Sequence, residues 1–146
     1  EHYDFEPDII CLAKALSGGI IPIGATVFKS EFNPHPSQHS NTFGGSPLPC
    51  AVALAFIEEL EKLDKNQLET RIKTLSELAP QGLGLMRRIS LSNESEANSL
   101  MEKALTERLI VVPAGGSRNP VVRLMPPLNI SVEDLEIGIK ILRKDL

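Results

Sequence analysis

Three residue groups in this chain have types and settings that could do chemistry. Lys14 follows the apolar run Ile9-Ile10-Cys11-Leu12-Ala13 and precedes Ala15-Leu16-Ser17-Gly18-Gly19. In open α/β sheets ligands gather at the carboxyl ends of strands. A lysine placed there is partly desolvated, which disfavours its ammonium form and leaves a nucleophilic amine. Such an amine suits Schiff-base chemistry with a carbonyl compound. The plainer alternative is a surface lysine snorkelling from a strand end.

The second group is His39-Ser40-Asn41-Thr42-Phe43-Gly44-Gly45. Hydroxyl and amide side chains beside paired glycines, just ahead of a helix, could cradle a phosphate. Backbone amides at a helix start favour an anion, and the Thr42 hydroxyl adds a donor. An ordinary loop and cap is the alternative. The third is Arg123, set in the apolar run Val121-Val122-Arg123-Leu124-Met125. Arginine is rarely buried unless paired, and its planar fork matches a carboxylate. It could equally point outward from an alternating strand.

The elements that must hold these groups are partly readable. Residues 9–13 suit a strand buried on both faces, as in a parallel sheet. Ile20 to Phe28 forms a second apolar, β-branched run. Residues 33–46 read as a loop. From Leu48 to Ile57 nearly every residue is apolar, which predicts a helix buried all round before it turns amphipathic at Glu58. Leu68, Ile72 and Leu75 predict a further helix after Asn66. Beyond Pro80, a strand is expected within residues 82–91. A helix with Asn93 and Glu96 as a cap pair follows, then short strands at 109–112 and 121–125. A last helix is capped by Ser131 with Asp134. The expected division is residues 1–78, holding the buried strands and a long helix, and residues 79–146, a small α/β unit.

Composition narrows the classes. The 146 residues suffice for one domain or two small lobes. The net charge of −4 offers no basic surface for nucleic acid, and 4% aromatics with no Trp offer no stacking platform. No apolar run has the length of a membrane span. Cys11 and Cys50, each in an apolar stretch, read as buried thiols of a reducing, cytoplasmic compartment. His2, His35 and His39 do not combine with them at zinc-site spacing and read as exposed loop histidines, so no metal is expected. The chain opens at Glu1 with no cap or turn, and its first lobe has few strands, so it reads as a fragment.

Taken together, three segments resemble the class III pyridoxal-phosphate aminotransferases of the ornithine, acetylornithine and diamine type. Residues 7–19 with Pro22-Ile23-Gly24-Ala25 look like their cofactor-lysine segment. Thr42-Phe43-Gly44-Gly45-Ser46-Pro47-Leu48 looks like their following loop, and Arg123-Leu124-Met125-Pro126-Pro127-Leu128 like a motif near their C-terminus. Order and approximate spacing match as well, and the three together are more specific than any alone.

The resemblance implies an α/β chain: the C-terminal part of the fold type I architecture, with the end of the large-domain sheet and a small α/β domain. It implies pyridoxal 5'-phosphate as cofactor, with Lys14 holding it and shuttling the proton. It implies Thr42 as a donor to the cofactor phosphate, usually of the neighbouring subunit of a homodimer. Arg123 would clamp a substrate carboxylate. The implied partners are an amino acid or diamine donor and a 2-oxo acid, 2-oxoglutarate foremost. Ser46 stands where the family often has Asn, and Gln81 where Arg is common. The family's earlier residues, including the aspartate that bonds the cofactor ring nitrogen, are not among these residues. A non-catalytic remnant or assembly partner of the same fold is therefore the competing expectation. Decarboxylase or racemase chemistry on the same cofactor is a third.

Overall fold

The computed structural model describes residues 3–146, so His2 lies outside the described residues. The chain divides into two compact units, Glu1–Leu63 and Asp64–Leu146.

In the first unit, β1 (Ile9–Leu12) pairs with β2 (Ala25–Phe28) in an antiparallel ribbon, Ile9 opposite Phe28 and Leu12 opposite Ala25. The expectation of a doubly buried, parallel strand is corrected. All four residues of each strand are exposed. A two-stranded ribbon has a neighbour on one side only, and within this unit nothing covers its faces. Lys29 Nζ reaches Asp8 Oδ1 at 2.7 Å where the ribbon begins and ends.

The loop that follows leads into α1 (Pro47–Glu61), which has Pro47 at its first position, where no intrahelical N–H is needed. Its packing also departs from expectation. Only Ala53 is buried, while Leu48 and Leu54 are 66% and 58% exposed. The stripe that packs is Val52, Ala53, Phe56 and Leu60, at helical spacing. Cys11 and Cys50 are free and exposed rather than buried, because the ribbon and helix surfaces that carry them are uncovered.

The second unit begins at a cap. Asp64 accepts from the N–H groups of Asn66 and Gln67 at 2.9 and 3.2 Å and starts α2 (Lys65–Leu78). The sequence placed this helix with residues 1–78. In the structure its Leu68, Ile72 and Leu75 pack into the second unit's core, so the packing boundary falls at Leu63.

A four-stranded antiparallel sheet follows, in the order β3-β4-β6-β5: β3 (Gln81–Leu83), β4 (Met86–Ser90), β6 (Val121–Leu124) and β5 (Val112–Ala114). The strand expected within residues 82–91 is β4, and it forms a hairpin with β3. Gly82 allows it: a Cβ there would meet the Met86 carbonyl oxygen at 2.2 Å, and its φ is +131°. The expected strand at 109–112 begins only at Val112, because Leu109 and Val111 turn into the core instead.

Between the strands, α3 (Glu94–Thr106) carries a reciprocal cap: Asn93 Oδ1 accepts from the Glu96 N–H, and Glu96 accepts from the Ser92 N–H. In α4 (Val132–Arg143), Ser131 Oγ accepts from the Asp134 N–H. The apolar faces of the helices and one sheet face enclose Leu75, Ile89, Leu100, Val122, Leu135 and Ile139, with Val122 fully buried. Arg71 ties α2 to the loop before α4, donating from Nε to the Ile130 carbonyl at 2.6 Å. The opposite sheet face is open, the usual arrangement of a one-sided antiparallel sheet.

Candidate active site

Lys14 owes its position to a backbone break. Ala13 is still extended, at φ −160° and ψ −164°, but Lys14 has a φ of +57°. That value lies in the left-handed region, which a non-glycine L-residue enters at a cost of roughly 1–3 kcal/mol. The strand therefore ends at Leu12, and a 3₁₀ turn over Lys14–Ser17 begins.

Two contacts hold the turn. Ser17 is fully buried; its hydroxyl donates to the Ile21 carbonyl and accepts from the Ile21 N–H at 3.3 Å. Gly18, at φ +66°, lies against α1 so closely that a Cβ would sit 2.9 Å from Phe56 Cδ2. Ser17, Gly18 and Phe56 thus brace the lysine-bearing turn. The sequence reading missed this role; the Ser-Gly-Gly run was the available signal. One expectation is corrected here. The Lys14 side chain is exposed, not partly desolvated, because the uncovered ribbon and the half-packed α1 build no dry wall around it.

Thr42 lies in a pair of overlapping turns. The Gly44 N–H donates to the Asn41 carbonyl at 3.2 Å and the Ser46 N–H to the Phe43 carbonyl at 3.2 Å. Asn41 Oδ1 accepts from the Phe43 N–H at 3.1 Å. The Thr42 hydroxyl is exposed on this turn, which runs directly into α1. Three amides of the loop are thus spent on the loop itself. The helix start adds fewer donors than expected, since Pro47 and Pro49 have no N–H. The anion-binding capacity of this corner rests on the Thr42 hydroxyl and the helix dipole more than on a ring of amides. The prolines that impose this were visible in the sequence. Within the first unit α1 is the shared support: the lysine turn packs on its Phe56, and the threonine turn leads into its N-terminus.

Arg123 lies in the second unit, on β6. Val122 and Leu124 point to the core, and Arg123 takes the outward alternative, exposed on the open sheet face. Its register partners are Arg88 on β4 and Val112 on β5. Arg88 in turn pairs with Gln81 on β3. A single row across the sheet therefore reads Gln81, Arg88, Arg123, Val112. Arg88 Nε donates to Gln81 Oε1 at 2.9 Å, and Ser90 Oγ donates to the same oxygen at 3.1 Å. A shallow groove of 370 Å³ runs along this row, lined by Arg88 and Arg123 with Met86 and Val121. Arg88 was not singled out in the sequence, although the alternation of residues 86–90 puts it on the same face as Arg123. His35 and His39 are exposed in the loop.

The first unit carries an exposed lysine on a braced turn and a hydroxyl turn at a helix start, and the second unit, by itself, carries an exposed guanidinium on an open sheet face. The whole chain, residues 1–146, matches the profile of the class-III aminotransferases, and it belongs to that family. Its fold is part of the family's fold type I architecture.

A putrescine aminotransferase of Pectobacterium atrosepticum is 42% identical over 154 aligned positions, covering 91% of this chain and 32% of the relative. An acetylornithine aminotransferase of Aquifex aeolicus is 35% identical over the full chain, covering 39% of the relative. The crystal structure of acetylornithine aminotransferase from Elizabethkingia anophelis superposes with a TM-score of 0.79 at 32% identity, covering 99% of this chain and 42% of that one. The chain thus spans about a third to two fifths of the length of these relatives. Among the described residues, no helix is long and apolar enough to cross a membrane.

Proposed function

We propose that this chain supplies the cofactor lysine, a phosphate donor and a carboxylate clamp of an aminotransferase. The reaction moves an amino group from an amino acid or diamine to a 2-oxo acid, 2-oxoglutarate in first place. The cofactor is pyridoxal 5'-phosphate, whose ring supplies an electron sink for the carbanion formed on deprotonation.

Every other contribution comes from the protein. The Lys14 amine would hold the cofactor at its aldehyde carbon and, once an amino substrate took its place, would carry the proton from the substrate carbon to the cofactor carbon. Such positioned proton transfer contributes about 10²–10⁴-fold in rate. The Thr42 hydroxyl donates to a phosphate oxygen, in a homodimer that of the neighbouring subunit. The Arg123 fork takes both oxygens of a substrate carboxylate, which limits the poses of the carbon to be deprotonated.

The observation that carries this reading is the left-handed backbone at Lys14, braced by Ser17 and by Gly18 against Phe56. A conformation that costs energy persists at the strand end that carries this amine, held by the contacts of the turn around it. Titration with pyridoxal 5'-phosphate tests it. An imine absorbance band near the visible edge is expected for the wild-type chain and not for Lys14→Ala. An unchanged spectrum in the wild type would favour the non-catalytic reading, which the exposure of Lys14 supports.

A further inference from the structure

The spacing of Leu68, Arg71 and Leu75 puts all three on one face of α2. Leu75 lies in the apolar core of the second unit, and Leu68 packs against that core. Arg71 stands between them at 9% exposure, the one charged side chain that is buried among the described residues. A guanidinium taken out of water costs free energy unless its donors find partners, and a leucine would suit this face without that cost. No carboxylate among the described residues forms an ion pair with it. Its partners are neutral. Nε donates to the Ile130 carbonyl at 2.6 Å, and a terminal nitrogen donates to Gln67 Oε1, one turn back on the same helix, at 3.1 Å. Together the two bonds fix the plane of the fork.

The Ile130 carbonyl ends the segment that leaves β6. Arg123 is the last residue but one of that strand. The ladder runs out around it: β5 reaches Arg123 with Val112, and Leu124 pairs with Arg87 alone. Met125, Pro126 and Pro127 follow, and a proline has no N–H with which to extend a ladder. The prolines also fix φ, so a displacement of the turn beyond them passes back to the strand rather than being absorbed. That turn spans Pro127 to Ile130, with the Ile130 N–H donating to the Pro127 carbonyl at 3.1 Å. Among the described residues, one side-chain hydrogen bond reaches residues 125–130 from another element, and it comes from Arg71.

We propose that Arg71 is a positioning residue for Arg123, acting through the Ile130 carbonyl to hold the end of β6 from which the Arg123 fork projects. This deepens the proposed function and rests on its reading of Arg123 as a carboxylate clamp. A charge-assisted bond to that carbonyl is what a leucine on this face of α2 could not supply. With the bond in place the fork keeps one origin, and a carboxylate meets it already placed. Without the bond the strand end and the fork move together.

Arg71→Met keeps an apolar stem inside and removes both donors. Hydrogen exchange of the 146-residue chain reads the result amide by amide. Exchange at Arg123 and Leu124 should rise by about tenfold in this variant, while Val121 and Val122, at the other end of the strand, stay within about twofold. Gln67→Ala, a surface change, removes only the bond that orients the guanidinium and should speed the same two amides by about threefold. Butyrate, titrated at constant ionic strength while the Arg123 Nε–H resonance is followed by NMR, should bind Arg71→Met about threefold more weakly than the wild type. An equal rise at all four amides is a loss of stability alone and overturns the proposal. Unchanged exchange also overturns it, since the buried Leu124 side chain would then hold the strand end without help. Unchanged butyrate affinity overturns it as well. A wild type that binds no butyrate at Arg123 sinks the clamp reading instead, because the exchange ratio is measured without a ligand.

Discussion

Ser17 is the side chain on which the geometry of Lys14 most depends. Its hydroxyl is buried and satisfies both backbone groups of Ile21. Ser17→Ala leaves two polar groups of Ile21 without that partner, a change of about 1–3 kcal/mol. We expect the Lys14–Ser17 turn to loosen, with a drop in any cofactor imine absorbance while the far-ultraviolet circular dichroism of the chain stays unchanged. Gly18→Val acts at the same place by sterics, since both the +66° φ and the Phe56 ring oppose a side chain. At this scale the sequence was informative about residue type and silent about surroundings. Lys14, Thr42 and Arg123 could be named because an amine, a hydroxyl and a guanidinium stood in unusual company. Whether an apolar neighbourhood is a wall or an uncovered surface depends on what packs against it, which is why Lys14, Cys11 and Cys50 are exposed where burial was expected.

Among the elements, those of the second unit were the most legible. Helix caps are local: Asn93 with Glu96 and Ser131 with Asp134 act within four residues, so the sequence carries the whole instruction. The inward stripe of α4, Leu135, Ile139 and Leu142, follows from the 3.6 period in the same way. Strand pairing is not local. The run Ile9–Ala13 has the apolar composition of a strand between two others, yet its partner here is β2 alone, and antiparallel. The run Leu48–Ile57 was read as buried by composition, but only the stripe through Ala53 and Phe56 finds a surface. Two substitutions separate these effects. Leu135→Ala should destabilise the second unit by about 2–5 kcal/mol, and Ser131→Ala by about 1 kcal/mol, both read from denaturant midpoints.

For the whole molecule, the contrast is between two units with different stores of buried surface. The second unit holds a contiguous core from Leu75 to Leu142, and the first holds Ala53 as its buried apolar side chain. Hydrogen exchange should therefore show strong protection in β4, β6 and α4 and weak protection in β1 and β2, whose amides need only local opening to exchange. Equal protection in the two units would contradict this distribution of packing.

The central claim is that Lys14, rather than any lysine that happens to be exposed, is the amine set to meet an aldehyde. Pyridoxal 5'-phosphate added at a one-to-one ratio and fixed with borohydride leaves a permanent mark on the amine that reacted. Mass spectrometry of the digested chain reads where it lies. The account predicts the mark on the peptide carrying Lys14. A mark spread evenly over Lys29, Lys62, Lys103 and the other exposed lysines would contradict it.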